Sequence, residues 1–236
     1  MSYLVFDIES APLPFSSFDE ARQEYLLRGT ESDEEVAQRK GEMALNGLTG
    51  RVVSIGMVYV ESLEAEPKGF VYSGLPDGEE GREEVLPDGS SWRAMSERAM
   101  LEKWWEILAR RKVELVSFNG RGFDAPYLML RSAALGIRPS VNLMNGTKFR
   151  YDRHTDLQDE LAFFGFSRGL SPLKRFNLDF YCKAFGIVSP KEEGISGDMV
   201  PKLYADGEHR RIAEYCLRDV FSTWKLYRHW REYLAF

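Results

Sequence analysis

Asp7 and Glu9 close the apolar run Tyr3-Leu4-Val5-Phe6 as Asp-Ile-Glu. In a strand, residues i and i+2 point to the same face, so both carboxylates project together from the strand end. Two like charges beside a buried sheet repel each other and resist desolvation, and a divalent cation is the usual compensation. Asp-x-Glu recurs at Asp33, Asp77 and Asp206, all in polar surroundings. The hydrophobic run sets the first copy apart, against the plainer reading of a strand ending in two solvated acids.

A second acid lies in Asn119-Gly120-Arg121-Gly122-Phe123-Asp124. The run Val113 to Phe118 reads as a strand that passes through two glycines and delivers Asp124 at a helix start. A carboxylate is favourable there beside unpaired backbone N–H groups, so a simple N-cap is the competing reading. The third site is Tyr215-Cys216-Leu217-Arg218-Asp219. Residues i and i+4 share a helix face, which aligns the tyrosine hydroxyl with the aspartate carboxylate. An aspartate among Cys216, Leu217, Val220 and Phe221 needs a partner if buried.

The elements that must position these groups follow from periodicity. Arg51 to Val60 is apolar and β-rich and reads as a central strand, with a shorter strand at Gly69 to Ser73. The polar stretch from about 11 to 49 reads as one or two surface helices, a candidate flap over the strand end. Residues 76 to 91, with two Asp-Gly pairs, read as a loop. Ser96 is placed as an N-cap, followed by a helix to about Arg111 whose apolar face holds Met100, Leu101, Trp104, Trp105, Ile107 and Leu108. A helix is expected from about Ala125 to Ala134 and a short strand near Ser140 to Leu143. Beyond Asp156 the chain reads helical at about 157–164, 172–185, 198–205 and 208–233. These units imply an α/β or α+β sheet covered by helices. No internal repeat or linker interrupts them, so residues 1–236 are taken as one domain.

Apolar residues make up 44% of the chain and charged residues 29%, which supports a large core and excludes global disorder. No apolar run reaches membrane-spanning length, Asp7 comes too early for a secretory signal, and the two cysteines fit a reducing cytoplasm. Residues 1–110 hold 11 Lys+Arg against 22 Asp+Glu, whereas residues 111–236 hold 20 against 15. That asymmetry allows a phosphate-tracking face in the second half, including Arg121, Arg150, Arg153, Arg175, Arg210 and Arg218, although a solvated surface explains the same charges.

Taken together, the three sites resemble the DEDD superfamily of 3′→5′ exonucleases. Asp7-Ile8-Glu9 matches its first motif, and Asn119-x-x-x-Phe123-Asp124 matches its second, a pattern found nowhere else in the chain. Tyr215-x-x-x-Asp219 matches the third motif in its tyrosine form; the histidine branch wants His where Glu214 stands. The pattern is most similar to the proofreading exonuclease domains of family B DNA polymerases and stand-alone bacterial proteins like them. It runs from about residue 3 to 228.

The resemblance implies an RNase H-like mixed sheet flanked by helices and a two-metal phosphodiesterase. Asp7, Glu9, Asp124 and Asp219 would hold two Mg²⁺ or Mn²⁺ ions roughly 3.5–4 Å apart. One ion would activate the attacking water and the other would stabilise the leaving 3′-oxygen. Tyr215 would orient that water, and Asn119 and Phe123 would hold the terminal nucleotide, Phe123 by stacking. Arg121, inside the second motif's turn, is the expected contact to the substrate backbone. Asp156-Leu-Gln-Asp159 reads first as a helix cap.

The expectation is a cytoplasmic, metal-dependent 3′→5′ exonuclease that acts on 3′ ends of single-stranded nucleic acid, with DNA favoured. An exoribonuclease or oligonucleotide-clearing enzyme is the near alternative. A catalytically silent nucleic-acid-binding module is the alternative from another class, and the presence of all four acids and the tyrosine argues against it.

Overall fold

The computed structural model describes residues 1–76, 78–147, 150–165, 174–188 and 194–235. Among them, nine strands and eight α-helices follow in order. The strands are β1 (Tyr3–Pro12), β2 (Gly50–Val60), β3 (Lys68–Leu75), β4 (Arg82–Val85), β5 (Ser91–Ser96), β6 (Glu114–Ser117), β7 (Gly146–Thr147), β8 (Arg150–Tyr151) and β9 (His154–Asp156). Seven of them form one sheet in the order β4-β5-β3-β2-β1-β6-β9, and β7 and β8 form a separate small hairpin. The sheet is mixed: β1 runs antiparallel to β2 but parallel to β6, and β6 runs parallel to β9.

Alternation along β1 divides the core in two. Tyr3 and Val5 face a cluster that includes Leu217, Val220 and Trp224 of α8 (His209–Tyr233). Leu4, Phe6 and Ile8 face the other side, against α3 (Glu97–Arg110) and α4 (Asp124–Ala134). Ser96 caps α3 by accepting from the Ala99 N–H, as its position before an apolar face requires. That helix buries Met100, Leu101, Trp104, Trp105 and Leu108, each contributing roughly 1.5–3 kcal/mol. A buried ion pair ties the two helices: Arg131 donates to Glu97 at 2.7 and 2.8 Å, and Glu97 also accepts from the Val52 N–H.

The fold expected from the sequence, an α/β RNase H-like sheet flanked by helices, is the fold found. Several local readings need correction. The first strand does not stop at Glu9 but pairs with β2 as far as Pro12, across a bulge between Glu9 and Ser10, so the two acids sit within a strand. The stretch 76–91 is not all loop, because β4 lies inside it as an edge strand, and β5 follows. Its sequence, Arg-Glu-Glu-Val, is exposed and carries no alternation to read; charge is how an edge strand avoids further pairing. Residues 140–143 form no strand; the short strands come later, at β7, β8 and β9. Of the helix expected over 172–185, Leu178–Ala184 is helical (α6), residues 174–177 are not, and 172–173 fall outside the described residues.

The 11–49 stretch does hold two helices, α1 (Glu20–Leu26) and α2 (Asp33–Glu42), neither with a buried residue. It is anchored where it leaves and rejoins the sheet, by Leu13 N–H to Thr49 O and Ser10 Oγ to Ala44 O.

Candidate active site

Asp7 and Glu9 continue the face that Tyr3 and Val5 begin, so the strand's period of two sends both carboxylates under α8. The helix lies close on the sheet there. Asp7 pairs with Gly56 of β2, and a Cβ on Gly56 would stand 2.8 Å from Cys216 Sγ and 3.1 Å from the Cys216 carbonyl oxygen. Only a glycine lets the helix sit that low, and this seating brings Tyr215 and Asp219 to the two acids.

Asp124 arrives from the other side. The β1–β6 ladder covers only Tyr3–Val5 against Glu114–Val116, so β1 runs on without a strand partner on that edge. The Ile8 N–H, between the two acids, donates instead to Asp124 Oδ1 at 2.8 Å. The competing reading of Asp124 as a helix cap does not hold: Phe123 occupies the cap position and Asp124 is the first residue of α4.

The turn before Asp124 is tightly folded. Asn119 adopts a left-handed φ of 63°, which Asn tolerates better than most residues. A Cβ on Gly120 would meet Ser117 at 2.3 Å, and one on Gly122 would meet Asn119 Oδ1 at 2.4 Å. Asp156 closes the turn from β9, accepting from the N–H groups of Asn119 at 2.9 Å, Arg121 at 2.8 Å and Gln158 at 3.0 Å.

Burial and neighbouring charges raise the acids of β1 and α4. Burial, then the charges of Asp124, Glu9 and Asp219, hold the Asp7 carboxyl well above the ordinary carboxylate range. Glu9 is raised by burial, then by Asp219 and Asp124. Burial lifts Asp124 to about 7, against the opposing pull of the Ile8 N–H. Burial also raises the Tyr215 hydroxyl, with Asp219, Glu9 and Asp7 adding to it and a hydrogen bond to Asp219 holding the proton. Among the described residues, the ligand atoms of Asp7, Glu9 and Cys216 lie within 4.8 Å of one another. The Cys216 thiol is pushed up by burial and donates to the Asp7 carbonyl, so its sulfur stays protonated and the donors left are carboxylate oxygens. Such a set fits hard divalent cations.

A cavity of about 310 Å³ opens onto Asp7, Asp124, Asp219 and Tyr215, with Asn119 and Phe123 in its wall. The sequence reading missed three further polar wall residues, Gln158, Asn177 and Asp179. Asn177 could have been found from its cap pattern, since it accepts from the Phe180 N–H three residues on. Asp179 pairs with Lys183 at 3.0 Å.

Arg121 has other partners than those expected of it. Its guanidinium donates to the carbonyls of Leu143, Met144 and Asn145 and stacks 3.7 Å over Tyr151, so it braces the 143–145 loop. Other cations of the second half are also engaged, Arg175 with Asp159 and Arg210 with Glu84 and Glu214. Lys148, Arg168 and Lys191 lie outside the described residues. No described helix is long and apolar enough to cross a membrane.

A family model described as "Predicted 3'-5' exonuclease related to the exonuclease domain of PolB" matches residues 51–234. The chain is 22% identical over 154 residues to the DNA polymerase delta catalytic subunit of Caenorhabditis elegans, covering 57% of the chain and 14% of that protein. It is 28% identical over 146 residues to a DNA polymerase of Pyrococcus horikoshii, covering 56% of the chain and 11% of that protein. It therefore spans only a small part of these polymerases' length. Its fold is similar to that of a family B DNA polymerase from Pyrobaculum calidifontis, with a TM-score of 0.60, 20% identity and coverage of 98% of the chain and 24% of the polymerase. It is also similar to E. coli Exonuclease I in complex with a dT13 oligonucleotide, with a TM-score of 0.52, 13% identity and coverage of 98% and 41%.

Proposed function

The chain belongs to the family of predicted 3′–5′ exonucleases related to the exonuclease domain of PolB, and from that premise we propose that it removes nucleotides from the 3′ end of single-stranded nucleic acid, DNA in preference to RNA. The observation that carries this reading is the convergence of Asp7, Asp124, Asp219 and Tyr215, from three distant segments, on one cavity beside Glu9.

Asp7, Glu9, Asp124 and Asp219 would hold two Mg²⁺ or Mn²⁺ ions. Bound there, such ions supply the positive charge that a phosphodiester needs and lower the pKa of an attacking water. The protein's own groups account for the rest. Without cations, burial keeps protons on Asp7, Glu9 and Asp124, and the site offers no positive charge to an anionic backbone until cations displace them. Tyr215 keeps its proton at neutral pH, because burial and three acids oppose its ionisation. It therefore serves as an orienting group: its proton is held by Asp219, which leaves the hydroxyl oxygen to accept from the attacking water. Asn119 and Phe123 form the wall against which the terminal nucleoside is held, with the Phe123 ring offering a stacking face. Preference for DNA is supported by the likeness to Exonuclease I, whose structure carries a dT13 strand.

The test is a ladder assay on 5′-labelled single-stranded DNA and RNA with Mg²⁺, Mn²⁺ or EDTA. Stepwise shortening from the 3′ end, faster on DNA and abolished by EDTA, is the expected result. Robust hydrolysis in excess EDTA would sink the mechanism, and faster shortening of RNA would reassign the substrate.

A further inference from the structure

The turn that carries Asn119, Phe123 and Asp124 is held by a residue that none of the three motifs contains. Asp156 stands at the end of β9, paired across from Ser117, the last residue of β6. It is 1% exposed, and its two oxygens accept three backbone N–H groups. Two of these, from Asn119 and Arg121, belong to the second motif's turn, where φ at Asn119 is left-handed and the chain has no strand to pair with. The third, from Gln158, starts α5 (Leu157–Leu161) and sets Gln158 in the cavity wall.

The same helical turn reaches the segment that leads to the far wall. Asp159 accepts from Arg175, two residues before Asn177, and also from Tyr151, whose ring lies under the Arg121 guanidinium. The β9–α5 junction thus ties the second motif's turn to the segment that leads into Asn177, with both oxygens of Asp156 turned to backbone N–H groups.

We propose that Asp156 is a positioning residue of the exonuclease site, fixing through three backbone N–H groups the turn that aims Asn119 and Asp124 at the cavity. The inference rests on the exonuclease reading above. Misplacing a metal-holding carboxylate through its support typically lowers metal affinity by about 10- to 100-fold. A displacement of about 1 Å at the reacting centre costs a similar factor in rate.

The experiment compares wild type, Asp156→Ala and Asp156→Asn by three readouts: Mn²⁺ binding without nucleic acid by calorimetry, strand affinity in Ca²⁺ by anisotropy, and single-turnover cleavage of a 5′-labelled strand. Asp156→Ala is expected to lower Mn²⁺ affinity and cleavage rate by about 10- to 100-fold each and to change strand affinity less. Asp156→Asn keeps one acceptor oxygen, enough for the Asn119 and Gln158 N–H groups that share Oδ1, and is expected to recover much of the loss. If Asp156→Ala folds with the wild-type melting temperature in EDTA and retains wild-type Mn²⁺ affinity and rate, or if Asp156→Asn folds yet recovers nothing beyond Asp156→Ala, the proposal is overturned. Equal loss in rate and strand affinity with unchanged Mn²⁺ binding also overturns it, since the turn would then act only through substrate. A wild-type protein that shortens no strand would instead remove the exonuclease reading.

Discussion

Asp124 holds its proton in a range where an ordinary aspartate is ionised, since burial moves its pKa from 3.8 to about 7. A carboxyl raised in this way supports the fold fully below its ordinary pKa and loses that support as pH climbs through the raised value. In EDTA, the melting temperature of the wild type should therefore fall between about pH 4 and pH 7 relative to Asp124→Asn. Mg²⁺ or Mn²⁺ should restore it at the upper end, because cations compete with protons for the same oxygens. Differential scanning fluorimetry across that range measures the effect; a constant gap between the two proteins would remove the coupling. Activity responds in the opposite sense: Asp7→Ala, Asp124→Ala and Asp219→Ala should each cost several orders of magnitude while leaving circular dichroism unchanged. Tyr215→Phe removes only a hydroxyl and should slow single-turnover cleavage by roughly 10- to 1,000-fold, with cation binding kept. A wild-type rate would return Tyr215 to the core it packs in with Ala11 and Val53.

At the scale of elements, the site depends on how low α8 sits on the sheet. Gly56 sets that height, since the nearest atoms to an added Cβ are the sulfur and carbonyl of Cys216. Gly56→Ala should destabilise the protein by about 1–3 kcal/mol, the usual cost of overpacking a filled core. It should also slow cleavage, because the helix that carries Tyr215 and Asp219 must shift. Adding Cys216→Ala removes the sulfur but not the carbonyl, at 3.1 Å, so the double variant should recover part of the stability lost. Urea denaturation of the four proteins in the cycle measures this coupling, and strict additivity would show that the contact does not limit the packing.

Over the whole molecule, the first 110 residues carry twice as many acids as bases and the rest a basic excess. Several of those bases are already paired, Arg175 with Asp159, Lys183 with Asp179 and Arg210 with Glu84 and Glu214. Strand affinity should therefore draw on few phosphates. Measured by anisotropy in Ca²⁺, the logarithm of the affinity should fall with the logarithm of salt concentration with a slope of about −0.7 per phosphate contacted, for only about two to four phosphates. A much steeper slope would place a longer basic track on the surface than the pairing allows.

The sequence by itself determined which carboxylates and which hydroxyl the site could offer. Motif spacing is local, and a strand or helix period converts spacing into a shared face, so Asp7 with Glu9 and Tyr215 with Asp219 were legible as pairs. The central strand, the Ser96 cap and the long last helix were legible for the same reason. What only the tertiary structure decided are the contacts between segments far apart in the chain. Asp124 accepts from Ile8 across 116 residues because β6 ends before β1 does, and no local pattern records where a neighbouring strand stops. Asp156 reads as a cap and is one, yet it also holds a turn 35 to 37 residues earlier, and Arg121 spends its charge on carbonyls 22 to 24 residues on. A hydrogen bond formed through space leaves no periodic trace in sequence. The three motifs name the groups, and the packing of α8, α4 and β9 around β1 brings them together.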